Sequence, residues 1–440
     1  MKTNYLIIGN SAGGIAAAEA IRQLDKKGDI LMVSDEPYPA YSRPLIAKIL
    51  TNERTLNEIL FRPEGFYEEH GITCLQGSKI DALDFDKRTA RFSSGDVVSW
   101  KKLLLATGGK PIVPPVKGID KEGVFNFITL DDARAIDSFL PEVRRAVVIG
   151  GGLIGTSVTD ALLKRDVRVS VVEMKDKMLN VMLDDTASTM AEDVIKKAGV
   201  DIITGHTVAE IIGGEKVDGV ILDNGKELKC QMVVVAIGVL PRVELVRGSQ
   251  IEVNRGIVVD RFMATSVKDV YACGDVAEAY DFVYGSGRLT PIWPNAYIGG
   301  RTAGFNMAGV KTEYRGGTAM NTLNYFGLDI ASAGAVNPPE AEHFEVLMRR
   351  DNGNYKKLII RDGLITGMVY VGDIELSGII FGLMRDRIDV SDFKKSLFDE
   401  NFGLAFLPRE KLKERLALQV NPGAGKVTVP EPQDKDIAGE

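Results

Sequence analysis

Cysteine is scarce in this sequence of 440 residues, and its three copies are far apart. Cys74, Cys230 and Cys273 form no C-x-x-C pair, so no disulfide framework, zinc site or iron–sulfur cluster follows from them. Their simplest reading is as small buried hydrophobes. Histidine is equally sparse: His70, His206 and His343 lack metal-ligand spacing, and no metal centre is expected. No apolar run approaches the ~18–20 residues that a membrane span needs. The apolar stretch behind Lys2 has a faint likeness to a secretory signal. Gly9, Asn10 and Ser11 interrupt it and a strand–turn–helix pattern continues, so it reads as the first fold element and the expected location is cytoplasmic. An excess of positive charge is also missing. The formal net charge of -7 argues against a nucleic-acid partner, because such proteins need clustered cations to displace counterions.

What is present is an ordinary globular composition, 45% hydrophobic and 26% charged, in a chain long enough for two or three domains. Two glycine-rich turns organise it. Tyr5 to Ile8 is an apolar run that enters Gly9-Asn10-Ser11-Ala12-Gly13-Gly14 and then the helix-forming IAAAEAIRQL. Small residues there let the backbone approach a diphosphate, and the helix start offers free N–H groups and a positive dipole end. Ser11 stands where a second glycine is commonest. The next strand, ILMVS, ends in Asp35-Glu36, acids suited to ribose hydroxyls. The second turn is more complete. Arg145 to Ile149 leads into Gly150-Gly151-Gly152-Leu153-Ile154-Gly155, a helix follows, and VRVSVVE ends at Glu173. An acid at that place favours a free 2′-hydroxyl, hence NADH over NADPH, although Lys175 and Lys177 follow it.

Three more strand-to-glycine turns follow the same design: Ala106-Thr107-Gly108, Ala236-Ile237-Gly238, and Cys273-Gly274-Asp275. With these residues the chain resembles the pyridine nucleotide–disulfide oxidoreductase superfamily over roughly residues 3–410. Its motif order is the same, with an FAD cradle first, an NAD cradle second and a second FAD motif at Gly274-Asp275. Within it, Tyr41-Ser42-Arg43-Pro44-Leu45, Lys48 and Trp293-Pro294-Asn295-Ala296 resemble the branch of rubredoxin and ferredoxin reductases and of NADH-dependent nitrite reductase flavoproteins. The resemblance implies that Arg43 contacts the flavin, that Lys48 lies near flavin N5, and that Trp293 stacks on nicotinamide. It further implies that Asp275 accepts from the ribityl chain and that Ile80 belongs to the FAD site. The bland alternatives are a solvated helix start for Arg43 and Lys48, and a core aromatic for Trp293.

The chain departs from the superfamily in two ways. The Cys pair of glutathione-reductase relatives is missing, and Pro44 stands where NADH peroxidases carry a single Cys. Ser157 replaces the Glu that relatives pair with the lysine matching Lys48. The resemblance implies an α/β fold: a doubly wound FAD domain (1–114 and 244–318) split around an inserted, Rossmann-like NAD domain (115–243). An α+β interface domain (319–412) and a flexible tail (413–440) complete it. A mixed sheet is expected from Asn321 on, with hairpins at Asn352-Gly353 and Asp362-Gly363. The leading expectation is an NADH-dependent flavoprotein that reduces a one-electron carrier such as rubredoxin, ferredoxin or a ferredoxin-like subunit, as a homodimer or a subunit of a redox complex. An oxygen-using NADH oxidase and an NADH-responsive interaction protein resembling apoptosis-inducing factor are the alternatives.

Overall fold

The computed structural model describes residues 1–338, 343–399, 401–403, 406, 407 and 412. The expected tail from residue 413 lies outside the described residues.

At the centre of the first sheet Tyr5 to Ile8, Ile30–Val33 and Leu103 to Leu105 are buried apolar runs, as strands covered on both faces require. Its parallel strands stand in the order Ile72–Leu75, Ile30–Val33, Lys2–Ile8, Val97–Leu105, Val270–Ala272. Val97–Leu105 serves two neighbours. Its first half pairs antiparallel with Thr89–Phe92, and its last three residues pair with Val270–Ala272. Leu6, Ile7, Leu103 and Leu104 are fully buried at the centre, each worth roughly 1.5–3 kcal/mol relative to exposure. Helix Ala12–Leu24 covers one face, crossed closely by helix Trp293–Met307. A Cβ at Gly300 would stand 2.1 Å from the carbonyl oxygen of Gly13, and one at Gly304 would stand 2.4 Å from that of Ala17. These two glycines therefore set how near the Trp293 end of the second helix comes to the first glycine turn.

A second parallel sheet has the order Asp201–Thr204, Arg168–Glu173, Arg145–Ile149, Met232–Val235, Val124–Asn126, with helix Leu153–Leu163 packed on it. The chain enters and leaves this unit side by side. Gly109–Pro111 and Val239–Pro241 form a two-stranded antiparallel ladder, with Val239 opposite Pro111 and Pro241 opposite Gly109.

From Met320 a five-stranded sheet begins, and it is antiparallel throughout rather than mixed. The reason lies in its connections. Asn352-Gly353 and Asp362-Gly363 both have positive φ at the two turn residues, +43° and +81°, and +52° and +74°. That is the geometry of the tight hairpin turn whose twist matches the flanking strands. Helix Ser377–Arg385 covers one face through Ile380 and Leu383. The sheet is wedged against both preceding units. Phe282 and Val283 of the first enter its core, and Leu179, Met182 and Leu183 of the second pack on Ile330, Tyr355 and Val371. A buried polar link reinforces the second contact. The Tyr355 hydroxyl and the Lys357 ammonium donate to Asp184 at 2.7 and 2.9 Å. The wedge brings strand Met320–Tyr325 over the groove between the other two units.

Candidate functional site: a cleft shared by two glycine cradles

One cleft of about 1020 Å³ runs between the three units. Gly9, Ser11, Ala12 and Gly13 line it from the first turn. The turn is too tight for side chains. Gly9 has φ +124° with its Cβ position 2.0 Å from the Ala106 carbonyl oxygen, and a Cβ on Gly14 would lie 1.9 Å from that of Gly9. Ser11 caps helix Ala12–Leu24 without a side-chain hydrogen bond, so the first-turn N–H groups are left for an anion. Ala106, Thr107 and Gly108 form the facing wall, and Ile80 lines the same end.

The two acids after the second strand have different surroundings. Glu36 is ion-paired to Arg43 and accepts from the Tyr41 hydroxyl at 2.6 Å, its side chain only 15% exposed. Asp35 is half exposed at the rim and binds Arg242 at 2.8 Å. Of the two, Asp35 is the one open to a ribose. Arg43 stands between Glu36 and Asp275. Burial pushes the Asp275 carboxyl above the ordinary range, and Arg43 pulls it the other way.

Gly274, Asp275, Trp293 and Ala296 line the inner end. Trp293 is partly exposed rather than a core aromatic, and it meets Phe61 edge-on with 5.0 Å between ring centres.

From the second cradle, Leu153, Ile154 and Ser157 reach the same cleft. Gly150, Gly152, Gly155, Glu173, Ala236, Ile237 and Gly238 are not among the cleft-lining residues. They repeat the first turn: Gly150 has φ +107° with its Cβ position 2.5 Å from the Ala236 carbonyl oxygen. Gly152 caps helix Leu153–Leu163 with no side chain to occupy the N–H groups. The Glu173 carboxylate accepts from the N–H groups of Gly151 and Lys175 at 2.6 and 2.9 Å, which fixes it beside the cradle. Both turns thus leave the N–H groups of their helix starts without a side-chain cap.

Lys48 is another candidate that the structure does not bring into the cleft. Its ammonium binds Glu53 at 2.5 Å, with 40% of the side chain exposed, and it is not among the cleft-lining residues. The carboxylate missing at Ser157 is supplied from Lys48's own neighbourhood, and Lys164 shares it. Ser157 instead partners Tyr325 of the third unit. Tyr325, Leu323 and Arg242 line the cleft without having been expected. No local pattern marks them, because each arrives from a distant part of the chain.

Cys230 and Cys273 are buried and Cys74 is part-exposed, a departure from three buried thiols. Burial pushes Cys74 up to about 11 and Cys273 up to about 12. Cys273 lies against the cleft floor, yet a thiol so reluctant to ionise is a poor nucleophile.

Two glycine turns whose helix starts meet at one cleft, each followed by a strand that leads to an acid, are the arrangement of an oxidoreductase that works with a flavin and a pyridine nucleotide. Residues 3–300 match the family described as Pyridine nucleotide-disulphide oxidoreductase, and residues 320–388 match the Rubredoxin NAD+ reductase C-terminal domain. The chain belongs to the pyridine nucleotide–disulphide oxidoreductase family. It is 32% identical over 396 residues to the NADH-dependent phenylglyoxylate dehydrogenase subunit epsilon of Aromatoleum evansii, covering 89% of this chain and 94% of that protein. It is 30% identical over 401 residues to the assimilatory nitrate reductase electron transfer subunit of Bacillus subtilis, covering 90% of this chain but 51% of that longer protein. Its fold matches the ferredoxin reductase for the CYP199A2 system of Rhodopseudomonas palustris with a TM-score of 0.79 and 25% identity, over 86% of this chain and 93% of that one. Among the described residues no helix is long and apolar enough to cross a membrane.

Proposed function

We propose that this chain takes a hydride from NADH onto FAD and releases electrons singly to a small iron–sulfur carrier or a ferredoxin-like subunit. The shared cleft carries this reading. The first turn of the second cradle helix, at Leu153, Ile154 and Ser157, opens into the space lined by Gly9, Asp275 and Trp293. Donor and acceptor rings can therefore meet there with no thiol pair between them. When bound, FAD supplies the two-electron uptake and one-electron release.

The chain's own residues bind and orient. Gly9, Ser11 and Gly14 hold the FAD diphosphate, Asp35 its ribose and Asp275 its ribityl hydroxyls. Gly150, Gly152, Gly155 and Glu173 hold NADH, with the Glu173 carboxylate repelling a 2′-phosphate. Trp293, braced by Phe61, walls the nicotinamide side, and alignment replaces a random collision. Residues 1–114 and 244–318 form the FAD-binding part, 115–243 the NADH-binding part and 319–412 an interface part. The phenylglyoxylate dehydrogenase relative is by name a subunit, which supports electron exchange inside a redox complex, in the direction the potentials set. A cytoplasmic homodimer or complex subunit is the proposed form.

Flavin bleaching by NADH and NADPH, followed by turnover with ferredoxin, rubredoxin or oxygen, tests the reading. NADH should be the better reductant and an iron–sulfur carrier the fastest acceptor. Faster turnover with oxygen than with any carrier would replace it with an NADH oxidase.

A further inference from the structure

Arg242 has no place in the dinucleotide motifs, yet its position is closely controlled. Its N–H donates to the Gly108 carbonyl oxygen at 2.9 Å, and its own carbonyl accepts from the Thr107 hydroxyl at 2.9 Å. Pro241 before it is the last residue of the crossing ladder. The backbone of the chain's return from the second unit is thereby locked to the wall of the first cradle. From that anchor the guanidinium lines the cleft and gives one N–H to Asp35 at 2.8 Å. A half-exposed ion pair of this kind adds little to fold stability, at most about 1 kcal/mol. A guanidinium has five donors, however, and the Asp35 bond uses one of them.

We infer that Arg242 is the adenylate clamp of the FAD site: it aims the Asp35 carboxylate at the adenosine ribose and offers its remaining donors to the adjoining phosphate. The inference rests on the reading of this cleft as an FAD site. It makes the affinity for the adenylate half depend on a residue delivered by the strand that leaves the NADH-binding part. Arg43 also lines the cleft but stands between Glu36 and Asp275; the rival cations are Lys79, paired with Asp81, and Lys110, paired with Glu244. Arg242 keeps the advantage over them because its fork can serve a carboxylate and an anion together.

The experiment compares FAD with FMN, which lacks the adenylate half. Full-length chain freed of flavin is titrated with each, as wild type, Arg242→Ala, Arg242→Lys and Asp35→Asn, with circular dichroism and unfolding temperature as fold controls. Arg242→Ala should weaken FAD at least tenfold while FMN affinity stays within twofold, and Arg242→Lys should recover part of the loss. Unchanged FAD affinity, or FAD and FMN weakened together, overturns the clamp, the latter marking a loosened crossing. If Arg242→Ala fails to fold, Arg242→Lys decides: at least a threefold FAD-only loss supports the clamp, and anything less overturns it. A wild type that takes up no FAD fails the underlying reading instead.

Discussion

Alanine at Gly152 separates binding from folding in a way that alanine at Gly155 cannot. Gly152 has φ -81° and ψ -166°, ordinary extended backbone for any residue, and its Cβ would meet no protein atom within 4 Å. Two small effects on stability oppose each other. Alanine restricts the unfolded chain, a gain of about 0.4–1 kcal/mol, and it is a poorer helix cap than glycine by a similar amount. The net change should stay within about 1 kcal/mol. The methyl group nevertheless projects over the helix start where a diphosphate must approach. Loss of one charge-assisted hydrogen bond costs about 1.5–3 kcal/mol, or roughly tenfold to a hundredfold in NADH affinity. At Gly155 the Cβ would lie 1.9 Å from the Gly150 carbonyl oxygen. That oxygen belongs to the cradle backbone and has no rotamer to escape through, so overpacking of about 1–3 kcal/mol is expected on top of lost binding. Stopped-flow flavin reduction at graded NADH gives the affinity, and thermal unfolding gives the stability. The reasoning is refuted if Gly152→Ala melts as far below wild type as Gly155→Ala, or if its NADH dependence stays within twofold of wild type.

Asp275→Ala should lower FAD retention by about 1–3 kcal/mol, because a ribityl hydroxyl loses its acceptor; equal flavin content after exhaustive dialysis would exclude that role. Replacing Cys74, Cys230 and Cys273 together by alanine or serine should leave carrier reduction intact, and NADH titration should end at two electrons per flavin; uptake of four would place the protein among the thiol-relay enzymes. Burial raises the Asp184 carboxyl, but the Tyr355 hydroxyl, the Lys357 ammonium and the Ala187 N–H outweigh it and hold it below the usual range. A depressed carboxyl stabilises the fold above its unfolded pKa of ~4, and this is lost as pH falls through the folded value. Urea unfolding should therefore show a wild-type advantage over Asp184→Asn that is full near neutrality and shrinks below about pH 4; a constant gap would deny the ionic link.

The sequence announced the features that backbone geometry alone dictates. Gly9, Gly14, Gly150 and Gly155 are legible because a side chain at each would strike a carbonyl oxygen within 2.5 Å. The hairpins at Asn352-Gly353 and Asp362-Gly363 are legible because those pairs tolerate two successive positive φ angles. Side-chain partnerships were not. That Glu36 takes Arg43 while Asp35 takes Arg242, 207 residues away, follows from how the units dock, and no local period encodes it. Lys48 illustrates the same limit. The family resemblance implied a flavin contact for it, but its ammonium is paired with Glu53 and it lies outside the cleft lining.

The crossing ladder also bears on the order of assembly. The first sheet is completed when Val270–Ala272 pairs with Leu103 to Leu105, and the whole second unit lies between them in the chain. Left as coil, that intervening segment would be a long loop to close, with an entropic cost rising as the logarithm of its length. Once it has folded, the ladder holds Gly109–Pro111 against Val239–Pro241, and the loop still open shrinks to the stretch after Pro241. Refolding followed by hydrogen exchange should accordingly protect Val147 to Ile149 before Val270 to Ala272. The inserted unit thus acts as an internal scaffold, lowering the loop-closure entropy its host has to overcome.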